Sequence, residues 1–117
     1  MKLKILVVDD EEATRRLLTS SFKDEGCDVR EASGGHQAIA MIKEKKPDKV
    51  LLDINMEDLD GIEVLKRIKE INSDIEVIMV TGLEDMAKMN EAKRLGASHY
   101  INKPFILREL HKIVKGT

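Results

Sequence analysis

Four short clusters in the chain bear side chains that could do chemistry together. Asp9 and Asp10 close an apolar run, Asp53 closes another and is followed by Ile54-Asn55, Thr81 and Gly82 follow a third, and Asn102-Lys103-Pro104 follow a fourth. Three carboxylates brought to one place repel. Two unit charges about 4 Å apart cost roughly 4 kcal/mol at an effective dielectric of about 20. A hard divalent cation relieves that cost, and an all-oxygen donor set suits Mg2+ or Mn2+. Mg2+ retains waters and binds alongside phosphate oxygens. A carboxylate can also act as a nucleophile and form an acyl phosphate. Phosphoryl transfer needs positioning and charge cancellation on the equatorial oxygens, which the cation, the Lys103 ammonium and the Thr81 hydroxyl could supply.

Taken singly, each cluster has an ordinary reading. Asp9-Asp10 could cap a helix, Asp53 could be a loop carboxylate, Thr81 could simply finish a strand, and Lys103 could be a solvated lysine. Joint chemistry therefore requires elements that bring the four clusters together. Runs rich in Val and Ile at Leu3–Val8, Asp28–Ala32, Lys49–Leu52, Ile75–Val80 and Ser98–Ile101 read as strands. Between and after them lie helical patterns at Glu12–Glu25, Gly35–Lys45, Gly61–Ile71, Glu84–Leu95 and Ile106–Lys115. The first has Ala13, Leu17, Leu18 and Phe22 on one side. Asp60 stands where an N-cap belongs before the third, and the fourth is the least apolar.

Five strands alternating with five helices predict an α/β fold with a parallel sheet covered on both faces and right-handed crossovers. Leu6–Val8 and Val50–Leu52 are apolar enough for strands buried on both sides. Asp28–Ala32 alternates polar and apolar residues and reads as an edge. In such sheets ligands bind outside the carboxyl ends of the strands, near the switch in strand order. All four clusters follow strands, so they are expected to meet on one rim.

The remaining composition narrows the function classes. With 117 residues, one domain spanning 1–117 is expected. There is one cysteine, Cys27, which excludes a disulfide scaffold and reads as a small core residue in a reducing compartment. The 20 basic and 22 acidic residues leave a net charge of −2, which argues against bulk electrostatic binding to nucleic acid or membrane. No apolar run approaches a membrane span, the start lacks a secretory signal, and a cytoplasmic location is expected. His36, His99 and His111 lack metal-site spacing.

The constellation resembles the receiver domain of a two-component response regulator over Lys4 to about Lys115. The pieces that carry the resemblance are Ile5-Leu6-Val7-Val8-Asp9-Asp10-Glu11, Leu51-Leu52-Asp53-Ile54-Asn55-Met56, Asp60-Gly61, Val80-Thr81-Gly82 and Tyr100-Ile101-Asn102-Lys103-Pro104-Phe105. The resemblance implies a doubly wound, flavodoxin-like (βα)5 fold with strand order 2-1-3-4-5. It implies Asp53 as phosphoacceptor, attacking the phosphorus of a phosphohistidine on a sensor histidine kinase. It further implies Mg2+ held by Asp10, Asp53 and the backbone carbonyl of Asn55, with Asp9 acting through a metal-bound water. Lys103 is implied to contact the phosphoryl group, with a cis bond to Pro104. Thr81 is implied to swing inward to a phosphoryl oxygen, with Tyr100 as the switch aromatic.

A receiver of this kind is a phosphorylation-controlled signalling switch that catalyses only its own phosphorylation and dephosphorylation. Its signal is expected to leave through the fourth helix, fifth strand and fifth helix to a protein partner, with no direct binding of nucleic acid. The kinase is expected to dock over the first helix and the loop at Phe105–Leu107, with Arg15, Leu18, Phe22, Phe105 and Ile106 as candidates. The chain reads as a stand-alone receiver or an excised one.

Two departures stand out: Glu57 follows Met56 where the family often has Pro, which is expected to loosen that loop. The resemblance also implies that Leu83, two residues past Thr81, and Asn55, two past Asp53, occupy the positions that in the family modulate acyl-phosphate hydrolysis. Three other readings fit less well. A flavin carrier needs a phosphate loop where Asp9 to Glu12 stand. An aspartate-nucleophile phosphatase places its nucleophile after the first strand. A degenerate receiver is expected to lack Asp10, Asp53 or Lys103.

Overall fold

Strand alternation and helical periodicity sort the apolar residues into two separate cores, one on each face of a single sheet. The computed structural model describes residues 2–82 and 84–116. Its elements alternate from β1 (Lys4–Val8), α1 (Glu12–Asp24), β2 (Asp28–Ala32) and α2 (Gly35–Glu44) through β3 (Lys49–Leu52) and α3 (Gly61–Ile71). They continue with β4 (Glu76–Thr81), α4 (Met86–Arg94), β5 (His99–Asn102) and α5 (Leu107–Lys115). All strand pairs are parallel, in the order β2-β1-β3-β4-β5. The α/β class and the strand order are as expected.

Side chains alternate across the sheet with period two. Leu6, Val8, Val50, Leu52, Val77 and Met79 pack with Ile39, Ile42, Ile62, Leu65, Ile68 and Ala92, so α2, α3 and α4 cover this face. Ile5, Val7, Leu51, Ile78 and Val80 pack with Leu18, Phe22, Leu110 and Val114 under α1 and α5. Cys27 joins this second core as a buried thiol whose pKa is pushed up by burial. His111 of α5 stacks on Phe22 with ring centroids 4.2 Å apart, and its ring nitrogens lie 3.0 Å from Ser21 Oγ and 3.2 Å from Glu25 Oε1. It is a packing residue.

The helix ends follow their capping chemistry. Asp60 Oδ1 accepts from Ile62 N at 2.7 Å and starts α3 where predicted. The fourth helix begins two residues later than its apolar pattern suggests, because Asp85 Oδ1 accepts from Ala87 N and Lys88 N and so fixes the first turn. No helix among the described residues is long and apolar enough to cross a membrane.

Candidate functional site

The sheet register explains why distant residues meet. Val8 of β1 pairs with Leu52 of β3, so the next residues, Asp9 and Asp53, leave adjacent strands side by side. Asp53 N donates to Val8 O at 3.1 Å across that step. This is where the strand order switches, since the chain runs from β1 outward to β2 and returns to β3 on the other side. Likewise Thr81 of β4 pairs with Asn102 of β5, and Lys103 N donates to Thr81 O at 2.9 Å. The Lys103–Pro104 peptide bond is cis.

Three carboxylates result. One oxygen from each of Asp9, Asp10 and Asp53 lies within 4.8 Å of the others. Lys103 Nζ donates to Asp9 Oδ2 at 2.7 Å and to Asp53 Oδ2 at 3.1 Å. The other oxygens take backbone donors: Asp9 Oδ1 accepts from Glu11 N at 2.9 Å, and Asp53 Oδ1 accepts from Asn55 N at 3.2 Å. Asp10, Glu11, Asp53, Asn55, Gly82 and Lys103 line an open cleft over this cluster.

The electrostatics are those of a crowded acidic site holding one cation. Burial pushes the Asp9 carboxyl above the usual carboxylate range, with the Asp53 charge adding to the rise, although the Lys103 hydrogen bond and charge oppose it. Burial acts to lower the Lys103 pKa, but its hydrogen bond to Asp9 and the charges of Asp53 and Asp9 outweigh that and hold it above normal. The donor set fits a hard divalent cation, because it is all oxygen and remains net negative with Lys103 present.

Thr81 is fully buried at the end of β4. Tyr100 is half-buried on β5 and packs against the α2–α4 core, with its phenol pKa raised by burial and by the Asp85 and Asp53 charges. Leu83 lies outside the described residues.

The family described as the response regulator receiver domain matches residues 5–115. The chain belongs to the response regulator receiver domain family. Receivers are the phosphorylation-controlled switches of two-component systems, signalling domains rather than conventional enzymes. The chain is 41% identical over 115 residues to sporulation initiation phosphotransferase F of Bacillus subtilis, covering 98% of this chain and 93% of that protein. It is 38% identical to regulatory protein AtoC of Escherichia coli, where it spans 24% of the relative's length. Its structure superposes on a CheY-like receiver from Methanospirillum hungatei with a TM-score of 0.97 at 28% identity, covering 99% and 93% of the two chains. The receiver domain of NtrX from Brucella abortus gives 0.90 at 35% identity, covering 96% and 95%.

The docking candidates need correction. Leu18 is 1% exposed and Phe22 is 0% exposed, so neither can meet a partner; both fill the core beneath α1. Their spacing of four residues makes the buried stripe, and Leu17 lies about 100° round the helix from Leu18. Leu17 is the residue on the surface, 51% exposed. It lines a shallow groove with Thr14, Pro104 and Phe105, and Ile106 is exposed beside it. Arg15 is largely enclosed, donating to Asp9 O at 2.8 Å and to Glu31 Oε1 at 2.9 Å. It braces the loop after β1.

Proposed function

We propose that this receiver takes a phosphoryl group onto Asp53 from the phosphohistidine of a sensor histidine kinase. The observation that carries the reading is the position of Asp53. It both receives the Lys103 ammonium and lines the open cleft, whereas Asp9, 2% exposed, sits behind Lys103 and is not among the residues that line it. An Asp53 carboxylate oxygen attacks phosphorus, the P–O bond forms as the P–N bond to histidine breaks, and the imidazole leaves with its electron pair. Lys103 follows the phosphoryl oxygens, and Thr81 reaches them from the end of β4.

Mg2+, or Mn2+ in its place, is the cation this reading calls for; Asp10, Asp53 and the Asn55 carbonyl would hold it, and Asp9 would act on it through a water. When present it cancels charge on the phosphoryl oxygens. Water later attacks the phosphorus and returns Asp53 and phosphate in a self-catalysed reaction. The output passes through α4, β5 and α5 to a downstream protein. Ala92 is the one buried residue of α4, so this helix is weakly docked and ready to shift. A cytoplasmic location fits this role.

The test is intact mass after incubation with acetyl phosphate, with and without Mg2+, beside Asp53→Ala. One added phosphoryl group requiring both Mg2+ and Asp53 is expected. A gain that persists in Asp53→Ala would place the acceptor elsewhere. Amide exchange on the same phosphorylated sample should change at α4, β5 and α5; an unchanged pattern there rules out that output face.

The kinase is assigned to the groove at Leu17, Pro104, Phe105 and Ile106. Leu17→Ala is expected to leave stability within about 0.5 kcal/mol of wild type, because the residue is 51% exposed and fills no core position. It should slow transfer from a phosphorylated kinase without altering the acetyl phosphate reaction. Leu18→Ala, one residue on, should cost about 3 kcal/mol by leaving a core cavity. Denaturant melts and the two phosphodonor assays separate these outcomes.

A further inference from the structure

The loop between Asp53 and α3 is fastened at its far side by a residue with no part in the cleft. Its near half is tied to itself: Asn55 N donates to Asp53 Oδ1 at 3.2 Å, Met56 N to Ile54 O at 3.1 Å, and Gly61 N to Ile54 O at 2.8 Å. Beyond Met56 stands Glu57, where a proline would have stiffened the backbone. The next residue, Asp58, crosses to another element. Its Oδ1 accepts from Gly35 N at 3.0 Å and its Oδ2 from His36 N at 3.1 Å, contacts that span 23 and 22 residues of sequence.

These are orphan donors of the first turn of α2, whose own N-cap residue, Gly34, makes no side-chain cap hydrogen bond. Asp58 therefore caps α2 across space, with its charge at the positive end of the helix. The fit is close. A Cβ on Gly34 would lie 2.9 Å from both Asp58 carboxylate oxygens, and one on Gly35 would lie 2.9 Å from Leu59 Cβ. The two glycines let the loop come down onto the helix end.

We propose that Asp58 is a positioning residue: by capping α2 from the loop, it holds residues 54–57 so that Asn55 faces the acidic cleft. The proposal rests on the reading of Asn55 as a backbone ligand beside Asp53. It supplies by a side-chain latch the restraint that a proline after Met56 would supply covalently. It also ties the first turn of α2 to the phosphoacceptor loop, so a disturbance of either is felt by the other.

The test uses the full chain as wild type, Asp58→Ala and Asp58→Asn. Amide exchange without metal should accelerate at Gly35 and His36 and through Asn55–Glu57 in Asp58→Ala. Mn2+ binding, followed by electron paramagnetic resonance, should weaken about tenfold, the scale seen when groups that orient metal ligands are removed. Asp58→Asn retains an acceptor oxygen and should recover part of both losses. In the acetyl phosphate reaction, Asp58→Ala should raise the Mg2+ concentration needed for half-maximal rate while leaving the rate at saturation nearly unchanged. If Asp58→Ala lowers only the melting temperature and the folded protein binds Mn2+ as wild type does, the latch is merely structural and the proposal fails. If wild type itself binds no Mn2+, the reading of the cleft as a metal site fails first.

Discussion

Lys103→Met should both unsettle the fold without metal and nearly stop phosphorylation. The ammonium lies 2.7 Å from Asp9 Oδ2 and 3.1 Å from Asp53 Oδ2, and both carboxylates are buried. Removing one partner of a buried ion pair leaves an uncompensated charge, which costs about 3 kcal/mol. Here two carboxylates are left facing each other and Asp10, so the metal-free variant should melt well below wild type. Mg2+ should recover most of the difference, because the variant cleft is more negative and no internal cation competes for it. Phosphorylation by acetyl phosphate should nonetheless fall about a hundredfold or more even at saturating Mg2+, the scale of losing one fixed donor to developing charge. Equal melting temperatures of metal-free wild type and variant would show that Lys103 does not hold the cluster together.

The same variant carries a pH signature whose sign follows from the site. The Asp9 carboxyl is already raised by burial in the wild type. A folded-state carboxyl pKa above its unfolded value means that the folded protein binds the proton more tightly, so stability falls as pH rises from the ordinary carboxylate range through the raised value. Lys103 restrains that rise. Without it the Asp9 pKa climbs further, and the loss of stability with rising pH becomes larger and extends to higher pH. Lys103 itself adds a dependence of the same sign at much higher pH: its raised pKa gives stability that is fully present below the usual lysine range and is lost as pH rises through and above it. Metal-free melts across pH should therefore diverge between the two proteins from acid toward neutrality.

Much of this site was legible because strand ends are marked by abrupt changes in residue type. Val8 to Asp9 and Leu52 to Asp53 are such breaks, and a parallel sheet brings successive breaks to one edge. The clustering of Asp9, Asp53 and Lys103 needed only the strand assignments and the rule for open α/β sheets. What sequence reasoning missed depended on angles and contacts between elements. Leu17 and Leu18 are neighbours of identical type, and the 100° between them decides that one is surface and the other core. Arg15 read as a docking candidate because its acceptors, Asp9 O and Glu31, come from two other segments. Asp58 drew no notice, since an exposed acid in a loop carries no signal until the first turn of α2 is seen above it. The late start of α4 escaped for a local reason: Asp85, not the apolar pattern, defines the first turn.

Gly61→Ala should damage the site without touching any polar group in it. A Cβ at this position would lie 2.2 Å from Asp53 O and 2.5 Å from Ile54 Cα, both backbone atoms that cannot rotate away. Gly61 is the first residue of α3, pinned by the Asp60 cap and by its own N–H on Ile54 O at 2.8 Å. The start of α3 and the phosphoacceptor segment therefore press on each other directly, and one must move by about an ångström or more to relieve the overlap. Overpacking of this kind costs about 3 kcal/mol. A displacement of about an ångström at a reacting group can cost a hundredfold in rate. The Asp53 side chain shares that backbone, so phosphorylation should fall even where the variant remains folded. Gly82→Ala is the matched control on the same rim, since among the described residues its added Cβ would meet only Lys103 Cβ, at an ordinary 3.9 Å. That variant should melt near wild type and retain phosphorylation. Melting curves and acetyl phosphate kinetics on the two variants measure the contrast directly. If Gly61→Ala is phosphorylated as fast as Gly82→Ala, the loop can yield without moving Asp53, and the close approach of α3 does not set the position of the nucleophile.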